Sequence, residues 1–194
     1  MSIDFYNKNA GQFAAATLTV DMASLYNEFL PLLPSGCCIL DVGCGTGRDS
    51  RYFLSQGFTV VAFDASSEMA RLATELTGLQ VKHTDFLSFS TTKPFEGIWA
   101  CASLLHVPAT ELSQTLTHLA AQLTSTGIFY CSFKYGEVDI ERDGRHFTNM
   151  TTERLTSLLY DTNLCILKSW ITDDVRPERS SDKWLNALLL KEHP

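Results

Sequence analysis

The sequence has 194 residues, of which 45% are hydrophobic and 19% charged, and its formal net charge is −7. This length predicts a single, fully folded domain. The acidic balance argues against nucleic-acid binding, which depends on Lys and Arg. Because no apolar run reaches the roughly 18–20 residues of a membrane span and no secretory leader pattern is present, we expect a cytoplasmic protein without membrane partners.

Six cysteines are spread along the chain without the paired spacing of a zinc site. Most of them fall inside apolar runs, where a free thiol behaves as a small hydrophobe. We expect buried, reduced thiols and no metal site, because disulfides are rare in a reducing compartment. These cysteines are Cys37, Cys38, Cys44, Cys101, Cys131 and Cys165.

The first element in chain order is a helical arm within residues 1–35. Apolar side chains recur at helical spacing between Met22 and Leu33, and Pro34 ends the helix. Strands and helices then alternate through residues 36–134, which we assign to the core. The predicted strands are 37–42, 58–63, 79–84, 97–102 and 128–133, with helices at 48–56, from Ser66 or Ser67 to Gly78, and around Leu112 to Leu123.

The alternation stops after Tyr135. A polar stretch extends to Asn149, followed by a helix near residues 152–160 and by strands at 165–171 and 184–190. Two consecutive strands without an intervening helix indicate an antiparallel hairpin at the sheet edge. The sequence therefore predicts an α/β fold with a doubly wound, mostly parallel, seven-stranded Rossmann-like sheet and an antiparallel edge hairpin.

A glycine-rich turn follows the first predicted strand. Gly43, Gly45 and Gly47 let the backbone turn sharply, so that a ligand can approach main-chain N–H groups and the start of the next helix. Similar turns also bind dinucleotides. Asp41, two residues before Gly43, would repel a diphosphate but attract an ammonium or sulfonium group. The turn therefore favours a positively charged, nucleotide-like ligand.

Acidic residues also follow the second and third predicted strands. Asp64 ends the second strand, where its carboxylate can accept hydrogen bonds from a ribose diol. Asp85 and Phe86 follow the third strand and can meet an adenine, one by hydrogen bonding and the other by stacking. Together with the glycine turn, they predict a nucleoside site at one edge of the sheet.

Three motifs, at residues 41–47, 63–69 and 84–86, together resemble those of the class I S-adenosylmethionine-dependent methyltransferases. The resemblance covers residues 39–133. It implies a methyltransferase sheet, S-adenosyl-L-methionine as the cofactor and methyl transfer as the activity.

The resemblance also assigns roles to individual residues. Gly43 and Gly45 would cradle the methionine part of the cofactor. Asp64 would hold the ribose, and Met69 would lie beside the adenosine. To these we add Arg48, whose guanidinium can reach a carboxylate. The complete predicted cofactor-binding set is Asp41, Gly43, Cys44, Gly45, Gly47, Arg48, Asp64, Ala65, Met69, Asp85, Phe86 and Cys101.

The segment after the fourth strand bears on the methyl acceptor. Residues 102–108 lack the Asn/Asp-Pro-Pro-Tyr/Phe motif of enzymes that methylate amino groups of nucleobases or glutamine, and no proline precedes a cysteine. What remains resembles the small-molecule branch, including the tellurite-resistance type, and predicts a small-molecule acceptor methylated on O or N. His106 is the candidate catalytic base, with a purely structural histidine as the alternative.

Residues 135–194 are expected to form the acceptor-side insert and the edge strands. Arg145 and His146 lie in this insert and Arg176 lies in the later polar segment; all three are candidates for acceptor binding, because a guanidinium can fork onto an oxyanion. Arg142 and Arg179 accompany them. A solvated polar loop is the alternative for both segments.

Two other functions stay open from the sequence alone. An NAD(P)-dependent oxidoreductase would use a similar fold, although Asp41 argues against a diphosphate. A catalytically silent, S-adenosylmethionine-binding partner subunit would keep the cofactor site without the reaction. The sequence does not indicate an oligomeric state.

Overall fold

The computed structural model describes residues 2–176 and 182–192. Helices in this part of the chain form where apolar positions recur every three or four residues, and several begin at a capping side chain or end at a glycine. The helices are α1 (Ser2–Thr17), α2 (Ala23–Phe29), α3 (Arg48–Ser55), α4 (Ser67–Thr77), α5 (Ala109–Ala121) and α6 (Thr152–Leu159), with 3-10 turns at Leu30–Leu32 and Leu104–His106.

The strands come from the short apolar runs between these helices. They are β1 (Cys38–Val42), β2 (Thr59–Asp64), β3 (Lys82–His83), β4 (Phe95–Ala100), β5 (Leu123–Lys134), β6 (Ile140–Arg142), β7 (Arg145–Phe147), β8 (Leu164–Asp173) and β9 (Lys183–Lys191).

Seven of the described strands form one sheet in the order β3-β2-β1-β4-β5-β9-β8. The strands β1 to β5 run parallel to one another, whereas β9 is antiparallel to both β5 and β8. The predicted fold class is therefore confirmed, including the antiparallel hairpin at the edge. Because the parallel strands share one direction, the carboxyl ends of β1, β2 and β4 meet at the same edge, where α/β folds bind ligands.

Buried side chains cover both faces of the sheet. On one face, Phe29 of α2 and Phe53 of α3 pack against Trp99, which stacks on Tyr130 with ring centroids 3.9 Å apart. The other face carries a second apolar cluster with leucines of α5 and α6, including Leu116. The two-sided packing explains why the central strands are almost continuously apolar.

Three details differ from the sequence prediction. The third strand is only Lys82–His83, because the predicted run contains exposed polar residues and pairs with β2 alone. The polar stretch after Tyr135 contains the β6–β7 hairpin, whose two-residue turn places Asp143 and Gly144 at φ 52° and 70°. The amino-terminal arm contains two helices, α1 and α2, rather than the one located by the sequence.

The six cysteines all carry free thiols, but only Cys131 is fully buried and the other five are partly exposed. The expectation of buried thiols is therefore correct for one position only. Among the described residues, no helix combines the length and the apolar character needed to cross a membrane.

Candidate active site

A cavity of about 860 Å³ lies at the carboxyl ends of the parallel strands. It is lined by every predicted cofactor-binding residue except Gly47, and also by the candidate acceptor residues His106, Arg145, His146 and Arg176. Residues of α1, including Tyr6, form another part of the wall. The structure thus brings residues from distant parts of the sequence around one space.

The three glycines of the turn adopt left-handed backbone conformations, with φ between 56° and 84°, but they serve different purposes. A Cβ at Gly43 would come within 2.6 Å of Ser103 Cβ, and one at Gly47 within 3.1 Å of Ala73. At Gly45 nothing lies within 4 Å of that position. Gly47 packs closely between α3 and α4, whereas Gly45 leaves space open. The cofactor role of Gly47 stays a prediction.

Asp64 links the glycine turn to the end of β2. Its Oδ2 accepts a hydrogen bond of 2.8 Å from the Gly45 N–H, and its Oδ1 accepts one of 2.8 Å from the Ser66 N–H. Burial raises the pKa of Asp64 to about 6. Because each carboxylate oxygen has two acceptor sites, Asp64 retains capacity for two further donors such as a ribose diol.

Asp41 lies at the end of β1 and is almost fully buried. Its Oδ2 accepts a 2.6 Å hydrogen bond from the Ser50 hydroxyl. Burial, reinforced by the nearby Asp49 carboxylate, raises the pKa of Asp41 to about 8. A cation placed beside this acid would favour its ionised form, which fits the predicted attraction for an ammonium group.

Asp49 carries the negative charge next to Asp41. Burial opposes that charge, but the Arg48 guanidinium and hydrogen bonds from Tyr26 and Trp99 lower the pKa of Asp49. Arg48 donates to the two carboxylate oxygens of Asp49 at 2.6 and 3.1 Å. The fork of Arg48 is thus held by Asp49, and the predicted contact of Arg48 with a cofactor carboxylate stays a prediction.

The predicted adenosine residues also line the cavity. Met69 is buried in the first turn of α4, and its N–H is capped by the Ser66 hydroxyl at 3.2 Å. The Asp85 carboxylate caps its own turn, accepting from the Leu87 and Ser88 N–H groups. Ala65, Phe86, Cys44 and Cys101 complete the predicted residues on the wall.

His106 is engaged at both ring nitrogens. Its Nδ1 lies 2.7 Å from the His146 carbonyl oxygen, and its Nε2 lies 2.8 Å from the Tyr6 hydroxyl. Burial and the positive charge of Arg145 lower the pKa of His106 to about 4, although the bond to His146 opposes this. His106 is therefore a neutral imidazole at neutral pH.

Arg145 is nine-tenths buried among aromatic rings. Its guanidinium carbon lies 3.9 Å from the ring centre of Phe5 and 5.2 Å from that of Phe147. One nitrogen, Nη2, contacts the exposed Asp143 carboxylate at 3.3 Å, whereas the buried Nε has no hydrogen-bond partner within residues 2–176 and 182–192. Such a cation, incompletely neutralised beside a cavity, is suited to an anionic ligand.

The other basic candidates are more fully engaged. Arg176 forks onto the buried Asp174, which also accepts a bond from the Trp184 indole. His146 lies 2.7 Å from Glu141, and Arg142 is exposed in a hairpin strand away from the cavity wall. The predicted residue Arg179 lies outside the described residues.

The sequence analysis missed α1 as part of the site. Tyr6 contacts His106, and the neighbouring Asn7 accepts a 2.7 Å hydrogen bond from the Ser66 hydroxyl beside Asp64. Ile3, Tyr6 and Phe13 line the cavity. Their positions follow helical spacing, a signal that the mixed composition of this segment concealed.

Comparison with known proteins shows what the chain is similar to. Residues 39–127 match the family described as a methyltransferase domain. The matched part of the chain is therefore similar to a methyltransferase domain, in agreement with the resemblance found in the sequence. An uncharacterised methyltransferase of Alkaliphilus oremlandii is 32% identical over 45% of this chain, and the aligned part spans 41% of that relative's length. The family match favours a methyltransferase over an oxidoreductase.

Solved methyltransferases share the fold over the whole chain. The 1,6-didemethyltoxoflavin-N1-methyltransferase of Burkholderia thailandensis, solved with its substrate and S-adenosylhomocysteine, has a TM-score of 0.79 at 21% identity, covering 98% of this chain and 85% of its own. A TehB-like methyltransferase from Corynebacterium glutamicum has a TM-score of 0.72 at 18% identity, with 98% of both chains covered. These similarities establish the methyltransferase fold.

The residues present fit the family's cofactor, S-adenosylmethionine. The open space at Gly45 and the remaining acceptor capacity of Asp64 lie on the same wall. The Ser103 hydroxyl, buried opposite Gly43, has no hydrogen-bond partner. A buried hydroxyl without a hydrogen-bond partner lowers the stability of a protein unless a ligand supplies that partner. This wall therefore has the properties of a ligand site.

Proposed function

We propose that this methyltransferase transfers a methyl group from S-adenosylmethionine to an oxygen or nitrogen of a small, anionic acceptor. One observation carries the proposal: a single cavity joins the glycine turn and its two carboxylates to the basic residues near His106. A volume of about 860 Å³ is of the size used for cofactors and small molecules.

At the glycine-turn side, the chain's own residues would hold the cofactor. Gly45 leaves room for it, Asp41 would face its ammonium group, and Asp64 would accept hydrogen bonds from its ribose. When bound, S-adenosylmethionine supplies a methyl group on a sulfonium that is already activated for displacement. The protein then has to align the acceptor and exclude water.

At the opposite side, Arg145 would bind an anionic group of the acceptor. Its buried Nε lacks a partner among the described residues, and its Nη2 contacts the exposed Asp143 carboxylate, so a carboxylate or similar oxyanion would supply the missing acceptor atom. Arg176 would contribute charge, but Asp174 already orients its guanidinium. Similar proteins that act on small molecules, such as the toxoflavin enzyme, support an acceptor of this size.

Calorimetry tests the cofactor first. S-adenosylhomocysteine should bind the purified chain, and NADH should not. A preference for NADH would contradict the proposal and support the oxidoreductase alternative.

A methyl-label screen then tests the reaction. The chain is incubated with a bacterial metabolite extract and S-adenosylmethionine labelled in its methyl group, and the compound that gains the label is identified by mass spectrometry. A labelled anionic small molecule is expected. Binding of S-adenosylhomocysteine without any labelled product would instead favour a silent cofactor-binding subunit.

A further inference from the structure

The contact between Tyr6 and His106 joins residues 100 positions apart at the acceptor side of the cavity. The His146 carbonyl oxygen can only accept a hydrogen bond, so His106 Nδ1 must carry the proton. Nε2 then has one lone pair, and the Tyr6 hydroxyl donates to it at 2.8 Å. The geometry thus fixes both the tautomer of His106 and the direction of the Tyr6 bond.

This arrangement prevents His106 from acting directly on an acceptor. Its only basic site is occupied by the Tyr6 hydroxyl, and its other nitrogen is turned to the backbone. Tyr6 and His106 both line the cavity, but the Tyr6 oxygen, unlike the bonded His106 Nε2, still has a lone pair with which to accept a proton. A proton leaving the acceptor would therefore meet Tyr6 before His106.

We propose that Tyr6 and His106 act as a proton relay for a hydroxyl acceptor, with Tyr6 as the residue that touches it. This inference rests on the proposed methyltransferase function. As the acceptor oxygen bonds to the methyl carbon, the carbon–sulfur bond breaks and its electron pair goes to sulfur. The hydroxyl proton moves to Tyr6 Oη, and the Tyr6 proton moves to His106 Nε2.

The acid–base properties of the pair suit a hydroxyl better than an amine. A pKa of about 4 leaves His106 unprotonated and available at neutral pH, although it makes the imidazole a weak base. A hydroxyl oxygen that is gaining a methyl group becomes strongly acidic, so a weak base is sufficient at that stage. A neutral amine needs no base to attack, and its methylated ammonium would not give its proton to such an imidazole.

Arg145 connects the relay to acceptor binding. Burial lowers the pKa of His106 and the positive charge of Arg145 adds to this, whereas burial raises the pKa of Tyr6 and Arg145 only partly offsets that rise. Arg145 also lies against the Tyr6 and Phe5 rings. An anionic group on the acceptor would offset this charge. His106 would then become more basic when the acceptor is in place, which confines proton transfer to the occupied site.

Nitrogen-15 NMR of the imidazoles tests the pair without any acceptor. The chain is labelled at its five histidines, and His106→Gln assigns the His106 signals. The wild type should show the Nδ1–H tautomer with a hydrogen-bonded Nε2. Tyr6→Phe keeps the ring and removes the hydroxyl, so the Nε2 resonance should move to that of an unbonded nitrogen. An Nε2–H tautomer, or an unmoved resonance in Tyr6→Phe, would overturn the pair.

Methyl transfer to the extract tests the relay. Tyr6→Phe should lower turnover at least about 100-fold, the range typical of acid–base residues, while S-adenosylhomocysteine affinity changes less than about twofold. Tyr160→Phe is the matched control because Tyr160 is 88% exposed. Wild-type turnover in Tyr6→Phe, or a product methylated on nitrogen, would overturn the relay. A wild type that binds S-adenosylhomocysteine but labels nothing would overturn the proposed reaction and the relay, whatever the imidazole spectra show.

Discussion

The two sides of the cavity are built in different ways. The glycine-turn side consists mainly of backbone groups and carboxylates near strand ends, and its central contact joins Gly45 to Asp64, 19 residues apart. The acceptor side consists of long side chains from α1, β7 and the segment after β4, with contacts that span 100 residues or more. A family can thus keep one cofactor while its acceptors change, because the second side depends on side chains that substitution alters easily.

The largest expected effect is a loss of cofactor affinity after a substitution in the glycine turn. Gly45→Val should weaken S-adenosylhomocysteine binding at least about 100-fold, or about 2.8 kcal/mol, because the side chain would occupy the space open at this position. Gly57→Val is the matched control, since Gly57 also has a positive φ and open space around it but lies off the cavity wall. If calorimetry shows an equal loss of affinity in both variants, backbone strain rather than lost space explains the effect.

Asp64→Ala should reduce S-adenosylhomocysteine affinity by about 1–3 kcal/mol, because two ribose hydroxyls and the Gly45 N–H would lose a charged acceptor. Asp85→Ala should reduce this affinity less, since Asp85 is exposed and caps its own turn. Urea unfolding distinguishes a lost contact from a lost fold. An unchanged affinity in folded Asp64→Ala would remove Asp64 from the cofactor site.

Substitutions at the proposed acceptor side should impair acceptor binding and leave cofactor binding unchanged. Arg145→Ala should raise the acceptor's KM about tenfold and leave S-adenosylhomocysteine affinity within about 0.5 kcal/mol. Arg145→Lys should restore part of the loss, since it keeps the charge without the fork, and Arg176→Ala should have a smaller effect. Arg71→Ala, an exposed control on α4, should change neither quantity. A loss of S-adenosylhomocysteine affinity in Arg145→Ala would show that Arg145 also contributes to cofactor binding.

The smallest expected effect is a dependence of stability on pH. Because the folded pKa of His106 is lowered from 6.5 to about 4, its contribution to stability is present above pH 6.5 and is lost as the pH falls toward 4. Between pH 7 and 5.5 the loss should be about 1 kcal/mol. Urea titrations of wild type and His106→Gln at both pH values measure it. Identical pH dependence in the two proteins would show that His106 is not held neutral.

Much of the fold could be predicted because the alternation of apolar runs and helices is regular between β1 and β5. The glycine turn, Asp41 and Asp64 were also accessible, since each follows a strand whose direction the fold determines. The close packing at Gly47 could not be predicted, because the sequence shows a glycine but not which neighbour approaches it. In this case Ala73 does, from the next helix.

The acceptor side could be predicted only in part. Charge in an irregular segment singled out Arg145 and His146, and both line the cavity. The pairing of Tyr6 with His106, in contrast, depends on how α1 returns over the sheet. No local pattern encodes that contact. The turn at Asp143 and Gly144, in contrast, had a recognisable hairpin signal, which the predicted polar loop overlooked.

Helix α1 couples two parts of the cavity wall. Tyr6 and Asn7 are consecutive, and both precede Asn9, where the helix is kinked with φ −116° and ψ 15°. Tyr6 bonds to His106, and Asn7 bonds to Ser66 beside the ribose-side carboxylate. Displacing this one helical turn would break both contacts together, so the parts of the cavity wall at His106 and at Ser66 would loosen together.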